Sequence, residues 1–194
     1  MTPERQSRLE SVLDKRQPGL TVLLENVSDP HNISAVMRTC DAVGIQDIYI
    51  LNTKIAPHKK WGSKSSSSAA KWLTIHQFTD AAECFERLRK NFDTIYATRL
   101  DDKAVSLYQM DFTQRMALVF GNEHDGVSDE INILCDGNFI IPQFGIIKSL
   151  NISVACAVSL YEACRQKELA GHYNQSNLPA ERMKELKSSW DLEP

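Results

Sequence analysis

The chain has 194 residues, 42% of them hydrophobic, which is enough for one well-buried core and too little for two independent ones. No apolar run approaches the ~20 residues that span a bilayer, and the opening MTPERQSRLESVLDKRQ lacks the apolar stretch of a secretion signal, so a cytoplasmic protein with no membrane partner is expected. A net charge of −3 argues against a uniformly basic nucleic-acid binder.

A helical segment carrying Leu9, Val12 and Leu13 comes first. Strand-like runs follow at residues 20–25, 47–51, 72–76, 94–98, 116–120 and 138–141, all rich in Val, Ile, Leu, Phe or Tyr. Helix-like stretches fall between most of them, at 32–43, 79–90, 128–135 and 149–170. A last helix, 179–190, places Met183, Leu186 and Trp190 at helical spacing. The alternation predicts an α/β domain over residues 20–170, a mostly parallel sheet flanked by helices, with short helical extensions at 1–19 and 171–194.

Charge and cysteines refine this picture. Residues 52–79 contain no Asp or Glu but hold Lys54, Lys59, Lys60, Lys64 and Lys71, a local basic arm compatible with phosphate. Inside it, residues 63–70 read SKSSSSAA, with no apolar periodicity, and predict a mobile functional loop. Cys40, Cys84, Cys135, Cys156 and Cys164 are odd in number, widely spaced and set among apolar residues, so they read as buried thiols without zinc or disulfides.

None of the eight glycines forms a G-x-G pair, and no G-x-x-x-x-G-K-[ST] run occurs, which excludes the common dinucleotide loop and the P-loop. Polar residues gather instead in three loops after predicted strands. The first, SDPHNISAVMRTCDAVG, has Ile33, Val36, Met37, Cys40 and Val43 on one helix face, Asp29 or Asn32 as cap and Gly44 as stop. Ser34, Arg38 and Asp41 share the opposite face, where Arg38 and Asp41 are spaced for a simple i,i+3 pair.

The second loop, GNEHDGVSDE, offers tight turns at Gly121 and Gly126, a cap at Ser128, and Asp129 and Glu130 at the positive end of a helix. Glu123 and Asp125 around His124 suit either acid/base work or an ordinary carboxylate loop. A metal is disfavoured, because no second His or Cys stands at ligand spacing. In the third loop, QFGIIKSLNISVACAVSLYEACRQ, Ser149 and Asn151 sit where a helix begins. The small residues Ser153, Ala155, Cys156, Ala157 and Ser159 suit close packing of the kind found at subunit interfaces. Residues 144–147 are either an apolar wall for an adenine ring or core.

Taken in order, N-x-x-x-x-x-R from Asn32 to Arg38, F-G-N-E-x-x-G-V-S at 120–128 and I-P-x-x-G-x-x-x-S-L-N-I-S-V-A at 141–155 resemble the three motifs of the SpoU/TrmH family of SPOUT methyltransferases. The resemblance covers essentially the whole chain. The opening RQPGLTVLLENVSDPHNISAVMRTCDAVGI is most similar to the tRNA (guanosine-2′-O)-methyltransferase branch.

The resemblance implies a deep C-terminal trefoil knot and a homodimer with active sites at the subunit interface. It implies S-adenosyl-L-methionine as methyl donor, without metal, held through the backbone around Thr98, Gly121, Ile141 and Leu150. The acceptor would be a tRNA guanosine, the D-loop guanosine at position 18, with ribosomal RNA or another tRNA position as the alternative.

By position Arg38 would be the catalytic arginine, with Asn32, Glu123, Ser149 and Asn151 orienting it, the ribose and the donor. A guanidinium gives up its proton only above a pH of ~12, so Arg38 is better placed to stabilise developing negative charge than to act as base. Arg8, Arg16, Lys64 and Arg165, with Arg5, Lys15 and Lys167, are the cations expected to capture RNA. A non-catalytic RNA-binding relative would lack Arg38, Glu123 or Asn151, and a hydrolase built on Glu123, His124 and Asp125 would want a G-x-S-x-G elbow that is absent.

Overall fold

The computed structural model describes residues 1–58, 69–147 and 149–192. Most of the serine loop, including Lys64, and Lys148 lie outside the described residues. The strands are β1 (Leu20–Glu25), β2 (Asp47–Leu51), β3 (Thr74–Phe78), β4 (Thr94–Thr98), β5 (Val105–Ser106), β6 (Met116–Phe120) and β7 (Gly137–Ile140). The helices are α1 (Pro3–Asp14), α2 (Pro30–Ala42), α3 (Ala81–Asn91), α4 (Asp129–Asn132), α5 (Ile152–Leu169) and α6 (Ala180–Ser189).

The seven strands form one sheet in the order β3-β2-β1-β6-β4-β7-β5, with every neighbouring pair parallel. Strand direction alternates side chains between the two faces. Val22, Leu24, Ile48, Ile50, Leu118 and Phe120 meet α2 and α5 on one side. Leu23, Tyr49, Leu51, Ala117 and Val119 meet Cys84, Phe85 and Leu88 of α3 on the other. Both faces are thereby covered, as a parallel sheet requires.

Three elements depart from the sequence reading. The two-residue edge strand β5 was not anticipated. The third strand begins at Thr74 because Trp72 is drawn away to stack edge-on against Trp190, with ring centroids 5.0 Å apart. The helix expected at 128–135 is the single turn α4, because the chain must rejoin the sheet: the Asp136 N–H donates to the Ile95 carbonyl at 2.8 Å and its carboxylate accepts from the Ile95 N–H at 2.7 Å.

Helix α2 begins at Asp29, whose carboxylate accepts from the His31 N–H at 2.8 Å, so Asp29 is the cap. It ends at Gly44, where φ is +84° and an added Cβ would lie 2.6 Å from the Lys15 carbonyl oxygen. The terminal helices share a third apolar cluster in which Leu13, Leu178, Leu186 and Trp190 are buried.

Arg16 stands at the centre of this join, and here the sequence reading is corrected. It is fully buried and cannot meet RNA. Its guanidinium donates to the Asp41 carboxylate at 2.8 Å and the Ile45 carbonyl at 3.0 Å, and lies 5.3 Å from the Trp190 ring centroid. Asp41 therefore faces Arg16, not an i,i+3 stripe, and Ser34, expected beside Arg38 on the outer face, is buried. Removing Asp41 leaves a buried guanidinium unpaired, so Asp41→Ala is expected to cost roughly 3 kcal/mol in urea unfolding. Arg8→Ala, at an exposed position on α1, should stay within about 0.5 kcal/mol of the parent.

Candidate active site

The carboxyl ends of β4, β6 and β7 open into a cleft of ≈ 1090 Å³. Here the chain order doubles back, since β6 inserts between β1 and β4, and ligands of open parallel sheets bind at such crossings. Thr98, Gly121, Ile141 and Leu150, four residues widely separated in sequence, all line this cleft, with Phe120, Phe139 and Ile152 supplying apolar wall. Thr98 closes β4 and its hydroxyl donates to the Val119 carbonyl at 3.1 Å, which fixes the rim of β4 to β6.

The second loop is shaped by its own backbone. The Asn122 side-chain oxygen accepts from the N–H groups of His124 and Asp125, both at 2.8 Å, and Gly126 turns the chain back at a φ of +68°. The return passes so near Gly121 that a Cβ there would fall 1.9 Å from the Gly126 carbonyl carbon. Only glycine fits. Ser128 caps α4 as expected, with its hydroxyl 3.4 Å from the Ile131 N–H, and its own N–H donates to the buried Glu25 carboxylate at 3.0 Å.

Glu123 projects from this loop toward α2. Its carboxylate accepts from the Asn32 amide at 2.9 Å and from the Ser28 hydroxyl at 3.2 Å. The Asn32 oxygen in turn accepts from the Asn151 amide at 3.2 Å, and the Asn151 oxygen caps α5 through the Ser153 N–H at 2.9 Å. One hydrogen-bonded chain thus joins all three loops. Burial acts to raise the Glu123 pKa, but bonds from Asn32, from its own N–H and from Ser28 outweigh it and hold the carboxyl below its usual 4.5. Glu123 is an anion at neutral pH.

Ser149 lines the cleft, whereas Asn32, Asn151 and Arg38 stand outside its lining. Arg38 is exposed on α2, six residues beyond Asn32 and so roughly 9 Å farther along the helix axis. Of residues 144–147, Gly145 and Ile147 reach the cleft, while Phe144 and Ile146 are 99% and 97% exposed and belong neither to a wall nor to the core of this chain. The sequence reading missed Ser28, Glu25 and Arg99. Arg99 lines the cleft and pairs with Asp129 at 2.6 Å. Nothing in their local spacing marks them, because each acts on a partner far along the chain. Among the described residues no cluster of three His, Cys, Asp or Glu side chains is arranged to hold a metal ion.

The sequence profile of the SpoU rRNA Methylase family matches residues 19–161. The chain belongs to the SpoU methylase family. It is 42% identical to the tRNA (guanosine(18)-2′-O)-methyltransferase of Thermus thermophilus, over 97% of this chain and 96% of that one. Its structure superposes on the TrmH/SpoU tRNA modifying enzyme of A. aeolicus with a TM-score of 0.88 and 36% identity, covering 97% of this chain and 96% of that chain. The SpoU methyltransferase AviRb of Streptomyces viridochromogenes, solved in complex with AdoMet, matches at a TM-score of 0.70 and 25% identity, covering 80% and 62%.

Because the folded Glu123 pKa lies below its unfolded value, its contribution to stability is present above about pH 4.5 and is lost as pH falls through the folded value. Asn32→Ala should move the Glu123 carboxyl titration, followed by carbon NMR, back toward that ordinary value. An unmoved titration would mean that Asn32 does not hold Glu123.

Proposed function

We propose that this SpoU methylase transfers the methyl group of S-adenosyl-L-methionine to the ribose 2′-hydroxyl of guanosine 18 in the D-loop of tRNA. The observation that carries the reading is the chain of hydrogen bonds from Asn151 through Asn32 to Glu123 beside a roomy, partly apolar cleft. The near full-length likeness to a guanosine-18 methyltransferase supports the choice of acceptor.

The cleft fits the donor. Its apolar wall suits an adenine ring, and Gly121, where the returning loop leaves no space for a Cβ, places its backbone in the lining. Thr98, Gly121, Ile141 and Leu150 would hold it. The sulfonium supplies an already activated methyl group, so the protein's task is to align a weak hydroxyl nucleophile and to favour its alkoxide form.

Asn32, Glu123, Ser149 and Asn151 form a polar rim that orients the ribose. Arg38 stabilises the negative charge that develops on the 2′-oxygen, in keeping with a guanidinium that stays protonated. The 2′-hydroxyl proton would pass to water or to an RNA phosphate and the donor would leave as a neutral thioether, so Arg38 need accept no proton.

Two wider features belong to the same reading. Leu150, Val154 and Tyr161 on and before α5 are exposed together with Phe144 and Ile146, an apolar face that supports a homodimer. Arg38 lies outside the lining of its own cleft, which favours sites completed across that interface. Residues 20–170 would be the methyltransferase domain, with the segment after β7 drawn through a trefoil knot, and 1–19 and 171–194 its extensions. Exposed Arg8 and Arg165, the latter paired with Glu162 at 2.7 Å, and Lys54 at the cleft would meet RNA phosphates, and the enzyme would work in the cytoplasm.

The test is transfer of labelled methyl to an unmodified tRNA transcript and to the same transcript with a 2′-deoxy nucleotide at position 18. Label is expected in the first alone. Arg38→Ala should lower kcat by roughly 100- to 1000-fold while leaving binding of the donor intact. Label on the deoxy transcript would overturn the assigned nucleotide.

A further inference from the structure

A second pocket, of ≈ 300 Å³, lies at the opposite end of the strands, beneath the amino ends of the central β1 and β6. Five residues of β6 separate it from the cleft, roughly 17 Å of strand. Lys167, in the last turn of α5, lines it and is only 2% exposed. Among the described residues its ammonium has neither a hydrogen-bond acceptor nor an ion-pair partner. The ammonium is not among the fully buried unpartnered polar atoms, so it opens onto the pocket, where a charge so short of partners is costly and a ligand of opposite sign removes that cost.

The surroundings supply one such charge, and it acts on Lys167 without a hydrogen bond or ion pair. Asp111, whose field reaches Lys167, uses its carboxylate on its own turn: Oδ1 accepts from the Thr113 N–H and hydroxyl at 2.9 and 2.6 Å, and Oδ2 from Gln114 at 3.3 Å. Arg115 also lines the pocket, with both Nε and Nη2 donating to the Asn91 carbonyl, Nε at 3.0 Å, and no carboxylate partner among the described ion pairs. His172 completes the wall. Burial, and after it the charge of Lys167, push the His172 pKa below its usual 6.5. Burial likewise lowers Lys167, against the opposing pull of Asp111.

We propose that this pocket binds a phosphate-class oxyanion, with Lys167 as its principal ligand and Arg115 and His172 as supporting contacts. A tetrahedral oxyanion offers several acceptors to a cation that has none, and the volume admits a phosphate with an attached group, at the lower end of small-ligand pockets, roughly 300–1000 Å³. The anion is either a phosphate of a bound RNA or a free phosphate compound. The site stands apart from methyl transfer, so its test needs no catalysis.

Inorganic phosphate is titrated into the full chain while the His172 ring resonances are followed by NMR across pH. Saturable binding that raises the apparent His172 pKa is expected. Lys167→Met should weaken phosphate binding about tenfold or more, and Lys167→Arg should retain it. Should Lys167→Met fail to fold, the His172 response of the unaltered protein decides.

The source is read from tRNA binding. If phosphate competes with tRNA and Lys167→Met weakens tRNA without changing kcat at saturation, the ligand is an RNA phosphate. If tRNA affinity is indifferent to both, it is a free phosphate compound. An unaltered protein with no saturable phosphate response at His172, or a folded Lys167→Met that binds phosphate as tightly as its parent, overturns the proposal.

Discussion

Asn32 is bonded in both directions by one side chain: its amide nitrogen donates to Glu123 and its oxygen accepts from Asn151. An amide is among the few groups that satisfy an anion on one side and a donor on the other. Aspartate would repel Glu123, and an apolar residue would leave the Asn151 amide without this acceptor and Glu123 with Ser28 alone of its two side-chain donors. The contacts span 91 and 119 residues of sequence, so this one side chain registers three loops against one another. The lowered pKa of Glu123 and the placing of the α5 cap beside α2 both follow from that registration.

The sheet makes the meeting possible. Because β6 lies between β1 and β4, the loop after β6 emerges beside the loop after β1, and Glu123 needs no long reach to find Ser28 and Asn32. Two apolar clusters, one on each face, fix the strands in that order, and the buried Arg16–Asp41 pair locks α2 to the terminal extensions from behind. The helix that carries Asn32 and Arg38 is thus held at its start by Glu123 and near its end by Arg16. That arrangement suits a site whose groups must stay in place while a large RNA comes and goes.

Charge is distributed to match. A net −3 leaves no general attraction for RNA, and the buried Arg16 and Lys167 do not contribute to the outer surface. On the proposed reading, cations at defined places would take over: Lys54 and Arg99 at the cleft, Arg8 on α1 and Arg165 on α5. Arg99 and Arg165 are each paired with a carboxylate, so any phosphate they meet must compete with a neighbour already in place.

Periodicity in the sequence determined the alternation of strands and helices, and the three motifs determined the family and the residues that gather at the cleft. Gly121, Ile141 and Leu150 were legible because a motif fixes its residues relative to a strand end, and Thr98 because it closes β4; strand ends of a parallel sheet share one side. Tertiary structure alone decided what those patterns leave free. Arg16 and Arg8 look alike in sequence, yet one lies under Trp190 against Asp41 and the other faces water, because burial is set by what folds over a residue. The bond between Asn32 and Glu123, the shortening of α4 and the pocket around Lys167 likewise come from segments that meet only once the sheet has assembled, and local spacing carries no record of such meetings.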